Sequence, residues 1–243
     1  MAEMEEKILE GHGNQNVIDE MCEILHMPAF HEPVPQASSN MSPRVKEQLR
    51  AFVERISVMY EDSSKIPFHN FEHVSHVVMS ASKLMKRIVL PDGIDYKQNS
   101  TNVALQIHNS TYGISSDPLL QFAVVFSALI HDCKHTGLTN AELVALGTPE
   151  ATKYRNKTVA EQHSVDLAWE ILMESKYTDL RACIYSDVDE LQHFRKLLVN
   201  AVMATDIADK DLKAYRENRW EIAFSEKSVN STNTMDRDRK ATI

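Results

Sequence analysis

The chain has 243 residues (27.7 kDa), 43% hydrophobic and 25% charged, which is enough to bury a core of its own and argues against wholesale disorder. With 35 acidic against 26 basic side chains the net charge is −9. An acidic chain without a basic patch gains no counterion release from a polyanion, so nucleic acid is not an expected partner. Only 6 Gly and 8 Pro interrupt it, which favours long helices over many short strands. Cys22, Cys133 and Cys183 are odd in number and form no CxxC pair, so neither a disulfide framework nor a thiolate zinc site is expected. Met1–Glu6 is acidic with no apolar leader, and the longest apolar stretch, 122–130, is about half a membrane span. A soluble, cytoplasmic protein without a membrane segment follows as the expectation.

Residues 1–41 are weakly patterned. Val17, Met21, Ile24 and Leu25 suggest one short amphipathic helix, and Pro28, Pro33, Pro35 and Ser38-Ser39 mark 28–41 as a linker. Ser42 as N-cap and Pro43 at the first helical position open a helix carrying Val45, Leu49, Phe52, Val53, Ile56 and Met59. The next begins near Asn70, with Val74, Val77, Val78, Ala81, Leu84, Met85 and Ile88 on its stripe and Pro91-Asp92-Gly93 as its stop. Residues 92–116 read as a polar, turn-rich insertion holding at most a short helix over 102–107. A helix over 119–133 is apolar nearly all round and is expected at the centre. Thr139 caps a short helix ended by Gly147-Thr148-Pro149. Helices follow over 158–174, from Asp187-x-x-Glu190 to about 205, and over 212–224, before a polar tail from 228. No repeat, heptad run or alternating strand is evident.

The chemistry concentrates in two histidine motifs among 11 histidines. His69-Asn-x-x-His73 sets two imidazoles one turn apart at a helix start. His131-Asp132-x-x-His135-x-Gly137-x-x-Asn140 follows the apolar run Ala128-Leu-Ile. Histidine offers a borderline nitrogen and aspartate a hard oxygen able to bridge two metals. An unpartnered His-Asp pair at the end of an apolar helix is costly, and a cation is the simplest partner. His12, His26, His31, His108 and His193 read as capping or surface residues, and His76 as the flank of its helix.

Four segments make the chain recognisable: Pro67-Phe-His69-Asn-Phe-Glu-His73, Ala128-Leu-Ile-His131-Asp132-Cys-Lys-His135-Thr-Gly-Leu-Thr-Asn140, Thr158-Val-Ala-Glu161-Gln-His163 and Val202-Met-Ala-Thr205-Asp206. In order and separation they resemble the catalytic domain of class I 3′,5′-cyclic-nucleotide phosphodiesterases, within the HD superfamily of metal-dependent phosphohydrolases. The resemblance covers about 42–225 and implies an all-α, HD-type multi-helix bundle. It implies hydrolysis of cAMP or cGMP to the 5′-monophosphate with two divalent metal ions, Zn²⁺ and Mg²⁺ or Mn²⁺. His69 would be the general acid for the O3′ leaving group. His73, His131 and Asp132 would bind the tighter metal, with Asp132 bridging to the second. His135, Asn140, Glu161, Thr205 and Asp206 would line the pocket or orient ligands, with Glu161 holding His69. The expected partner is a small-molecule cyclic nucleotide.

The chain departs from the family pattern at three places. Lys134 stands where the family carries an acid, and is expected to face solvent. Residues 92–116 look inserted. The chain ends at Ile243, before the family's last metal-binding Asp and its purine-clamping Gln; Asp236 and Asp238 lack the surrounding pattern and are not put in that role. The expected organisation is a weakly structured 1–41, an incomplete catalytic domain over 42–227 and a polar tail over 228–243. The competing readings are another HD-type nucleotide phosphohydrolase and a non-catalytic metal-binding or interaction fragment.

Overall fold

The computed structural model describes residues 16–21, 30, 41–87, 97, 99–111, 113–114 and 116–224, and every regular element among them is helical. The Ser42 hydroxyl accepts the Val45 N–H at 3.2 Å, and proline, which has no N–H to leave unpaired, occupies the first helical position. This opens α1 (Pro43–Ser57). It is followed by α2 (Phe71–Lys86), α3 (Ser100–Ser110), α4 (Pro118–Ile130), α5 (Asn140–Ala145), α6 (Pro149–Lys153), α7 (Val159–Met173), α8 (Thr178–Ile184), α9 (Val188–Met203) and α10 (Lys210–Phe224). Two short 3-10 turns lie at Val17–Glu20 and Ser175–Tyr177. No helix of the described residues is long and apolar enough to cross a membrane.

The described residues divide between two compact units, one within Met1–Met21, Asn40–Ser80 and Ala123–Asp206, the other within Cys22–Ser39, Ala81–Phe122 and Ile207–Ile243. In the first unit α7 packs on α1, α8 and α9, and the Val17–Glu20 turn rests on α7 and α9. Buried residues on these helices step by three and four: Val165, Ala168, Trp169 and Leu172 on α7, and Leu191, Phe194, Leu198 and Val202 on α9. Phe52 of α1 stacks on Phe126 at 5.3 Å and meets Tyr177 edge-on at 5.5 Å. Phe126 meets Phe194 at 5.5 Å, and Phe194 stacks on Trp169 at 6.1 Å. Burying each large apolar side chain in this cluster contributes about 1.5–3 kcal/mol, so the aromatic chain is the main fastener of the unit.

In the second unit the Asn99 side chain accepts the Thr101 and Asn102 N–H groups and starts α3. That helix runs longer than the 102–107 expected, because Asn99, read as part of a turn, is its cap. His108 is not a surface residue: it is 2% exposed, with Nδ1 2.5 Å from the Ser116 hydroxyl and its ring edge-on to Phe30 at 5.5 Å. A local hydroxyl partner makes the buried imidazole tolerable.

Other expectations shift in detail. The helix expected over 119–133 ends at Ile130, with a turn over 131–134 in which Lys134 takes a left-handed φ of 62°. It is apolar all round, yet only Ala123, Phe126, Ser127 and Ile130 are fully buried. The Thr139-capped helix ends before Gly147-Thr148-Pro149 as expected, and Thr148-Pro149 also starts α6: the Thr148 hydroxyl accepts the Ala151 N–H with proline at the first position, as Ser42-Pro43 does. α8 had no sequence signal of its own. Asp187 caps α9 by accepting the Glu190 N–H, but the Glu190 carboxylate reaches back to the Ser186 N–H and hydroxyl. On α2 the apolar stripe fades, with Val74 fully buried and Leu84 69% exposed. The 28–41 linker apart from Phe30 and Met41, the Pro91-Asp92-Gly93 stop, Ile24, Leu25 and the tail from 228 lie outside the described residues.

Candidate metal centre

All the site residues expected from the sequence fall in the first unit. The chain enters α2 through a loop pinned by Asn70, which is 5% exposed. Its amide donates to the Ile66 carbonyl at 3.1 Å and the Pro67 carbonyl at 3.0 Å, and its oxygen accepts the His73 N–H at 3.0 Å. One side chain thus folds the loop back and caps the helix, which fixes His69 on the loop and His73 one turn in.

The second motif sits on the turn that leaves α4. The Tyr60 hydroxyl, kept protonated by burial, donates to the Leu129 carbonyl at 2.8 Å. The Ser164 hydroxyl, on α7, lies 2.9 Å from the Cys133 carbonyl and 3.0 Å from that of Ala160. These bonds hold the last residues of α4 and the turn after it. Gly137, at φ 83°, lets the chain leave the turn in a conformation other residues avoid.

The two motifs meet at one carboxylate oxygen. Asp132 Oδ2 lies 2.8 Å from His69 Nδ1, 3.1 Å from His131 Nε2 and 3.9 Å from His73 Nε2. Two residue groups bring their ligand atoms within 4.8 Å of one another: His73, His131 and Asp132, and His69, Asp132 and His135. Hydrogen bonding separates them. His131 Nδ1 faces the Ala128 carbonyl at 3.0 Å, so that nitrogen carries the proton and Nε2 presents a lone pair. That lone pair faces a carboxylate oxygen at 3.1 Å. In the neutral ring these are two acceptors, which a proton or a metal cation between them satisfies, and with His73 the first group fits a divalent metal. In the second group His69 Nδ1 already donates to Asp132, and His135 Nδ1 accepts the Gly137 N–H at 2.9 Å. Neutral His135 therefore carries its proton on Nε2, and it stacks on His69 with ring centres 3.8 Å apart.

Without a cation between them, His131 and Asp132 form an ion pair, the proton taking the place between the two atoms. Burial works to lower the His131 pKa, but the Asp132 carboxylate outweighs it and raises it. Burial works to raise that of Asp132, and the His131 and His69 rings hold it well below the usual carboxylate range. Burial lowers the pKa of His73 and of His135, favouring neutral rings.

Behind this cluster Asn140 ties three segments. Its amide donates to Glu161 Oε2 at 2.9 Å and Asp206 Oδ2 at 3.0 Å, and its oxygen accepts the Ala160 N–H at 2.9 Å. Burial raises the Glu161 pKa, Asn140 opposes this, and Asp206 adds to the rise. The expectation that Glu161 holds His69 is replaced: Asp132 bonds His69, while Glu161 bonds Asn140, because His69 sits directly over the carboxylate. Thr205 is exposed and turns its hydroxyl to the Val202 carbonyl at 2.7 Å. Lys134 is exposed, as expected. His76 belongs to neither group among the described residues. Asn70, Tyr60 and Ser164 had no role assigned from sequence. Asn before a helix is a capping signal that could have found the first; the other two act on carbonyls far away in the chain.

Within the first unit, two histidine motifs at the ends of separate helices thus bring His and Asp ligand atoms to one point, the donor set of a metal site. The 3′,5′-cyclic nucleotide phosphodiesterase family profile matches residues 68–241. The chain belongs to that family. It is 29% identical over 160 residues to the dual specificity calcium/calmodulin-dependent 3′,5′-cyclic nucleotide phosphodiesterase 1C of Mus musculus, covering 66% of this chain and 19% of that protein. It is 27% identical over 184 residues to the human cGMP-inhibited 3′,5′-cyclic phosphodiesterase 3A, covering 67% and 16%. The chain thus spans under a fifth of the length of these relatives. In fold it is similar to the phosphodiesterase domain of the Salpingoeca rosetta rhodopsin phosphodiesterase, with a TM-score of 0.60 at 20% identity over 88% of this chain and 67% of that one. A second structure of that domain, from the RhoPDE fusion protein, gives 0.58 at 23% identity over 84% and 53%.

Proposed function

We propose that the chain carries the metal-binding half-site of a cyclic-nucleotide phosphodiesterase domain over 42–227, cleaving the P–O3′ bond of cAMP or cGMP. The observation that carries the reading is the convergence of three ligand atoms, with His131 Nε2 at 3.1 Å and His73 Nε2 at 3.9 Å from the same Asp132 oxygen. His73, His131 and Asp132 would hold the tighter ion, zinc, and the Asp132 carboxylate would also serve a second ion, magnesium or manganese. Bound there, the cations neutralise phosphate charge and make water nucleophilic near neutral pH.

His69 is the proton donor. Its Nδ1–H is held by Asp132, so Nε2 is the ring position free to carry and release a proton. As the water oxygen bonds to phosphorus and the P–O3′ bond breaks, the Nε2 proton passes to O3′. The side chain is 33% exposed, open to substrate, while stacking on His135 limits its rotation. Asp132 keeps the tautomer and stabilises the protonated ring. Asn140, Glu161 and Asp206 orient the first turn of α7 and the pocket floor, and Thr205 lines its edge. The test is turnover of cAMP and cGMP by the chain with Zn²⁺ and Mg²⁺, beside Asp132→Ala. Metal-dependent 5′-monophosphate formation lost in the variant is expected; metal binding without turnover favours a non-catalytic module, and turnover retained in the variant refutes the site.

A further inference from the structure

The geometry points to the Val17–Glu20 turn as a positioning strap for the metal site, acting through Gln162 on the first turn of α7; the inference rests on the metal-centre reading above. That first turn begins badly. Its N-cap, Thr158, is a β-branched residue in the left-handed region at φ 42°, its side chain makes no cap bond, and its hydroxyl is buried without a partner. A helix start of this kind needs outside anchors. One comes from the site, where Asn140 accepts the Ala160 N–H. The other is the strap. The Ile18 N–H donates to Gln162 Oε1 at 3.0 Å, and Gln162, fully buried, donates in turn to the Lys157 carbonyl at 2.6 Å.

The strap is latched at both ends of its short length. Val17 is 2% exposed in the core. Glu20 forms a two-pronged pair with Arg195 of α9, Oε2 to Nε and Oε1 to Nη2, each 2.7 Å. Both side chains are buried, and the guanidinium lies 4.6 Å over the Trp169 ring of α7. The exposed Asp19–Arg155 pair at 3.2 Å adds little.

Two neighbours of Gln162 on the same turn reach the site: Glu161 bonds Asn140, and Ser164 bonds the carbonyl of Cys133, next to Asp132. A buried amide on one α7 turn therefore connects a segment from the start of the chain to the turn that presents Asp132. Gln162 and Glu20 are positioning residues; neither touches the reacting atoms.

Gln162→Met keeps the volume and helix preference while cutting both amide bonds, and Glu20→Gln weakens the latch from the other end. Hydrogen exchange is read at the Cys133, His135 and Gly137 amides, which are bonded within the site turn. Both variants should speed exchange there by about tenfold or more. Co²⁺ affinity, followed by absorption or calorimetry, should fall about tenfold. A strap with only a structural role would speed exchange at residues 17–20 and 158–164 and leave the site turn as in wild type; that result overturns the proposal. Failure of the wild-type chain to bind Co²⁺ refutes the metal-centre reading instead, and the exchange measurement still decides the strap.

Discussion

Asn70→Ala tests how the first histidine motif is built. The side chain satisfies two carbonyls and one N–H in a 5%-exposed position. Each buried polar group left unpaired costs about 1–3 kcal/mol, and loss of a helix cap about 0.5–2. Pro67 is exposed, so water can reach its carbonyl, which leaves Ile66 O and the His73 N–H as the costly orphans. The expected loss is about 3 kcal/mol, or about 6–12 °C in Tm for a chain of this size. Asn70→Asp should fare no better. It keeps the acceptor for His73 but turns carboxylate lone pairs on two carbonyl oxygens. The assay is urea unfolding of the wild type and both variants, with zinc affinity measured on the same preparations. His73 is fixed through this cap, so affinity should fall together with stability. Wild-type stability and zinc affinity in Asn70→Ala, or an Asn70→Asp variant as stable as wild type, would show that the loop is held by something else.

Alanine at His73, His131 or Asp132 should lower bound zinc and turnover together, by about 10²-fold or more in affinity, as metal analysis of purified variants would show. His69→Ala should keep the zinc but lose about 10²–10⁴ in kcat, with relative rescue by a substrate bearing a good leaving group; equal loss on both substrates would remove it as the acid. Burial pushes the Cys133 thiol up to about 12, against the lowering by Lys134, so native alkylation at pH 8 should label exposed Cys183 and spare Cys133, read by peptide mass mapping. Because the folded pKa is the higher one, the stability from the neutral thiol is fully present below about pH 8.5 and is lost as pH rises toward about 12. Cys133→Ala should flatten that alkaline slope in denaturation at pH 8 to 11.

The histidine motifs were legible because their spacing is short: four residues keep the His69 and His73 rings 6.3 Å apart, although His69 stands on the loop before α2 and not on the helix as expected, and an apolar run followed by His-Asp announces a polar group at a buried end. The Ser42, Thr139 and Asp187 caps were legible for the same reason. What stayed hidden depends on distant partners. Asn140 meets Asp206 across 66 residues, Ser164 meets Cys133 across 31, and Glu20 meets Arg195 across 175. No spacing rule encodes such pairs. The choice of Asp132 over Glu161 as the partner of His69 is of this kind, since both are acids and only packing brings one within 2.8 Å. His108 misled because its Ser116 partner looked like part of a turn. Thr148-Pro149 was legible only as a stop, because the same dipeptide can end one helix and start the next.

In the proposed site His73, His131 and Asp132, and not His69 and His135, hold the tighter metal ion. Anomalous diffraction at the zinc edge, on crystals of the chain grown with zinc, tests it directly. The expected result is a peak about 2.0–2.2 Å from His73 Nε2, His131 Nε2 and an Asp132 oxygen. A sole peak bonded to His69 and His135, or full zinc occupancy away from Asp132, would contradict it.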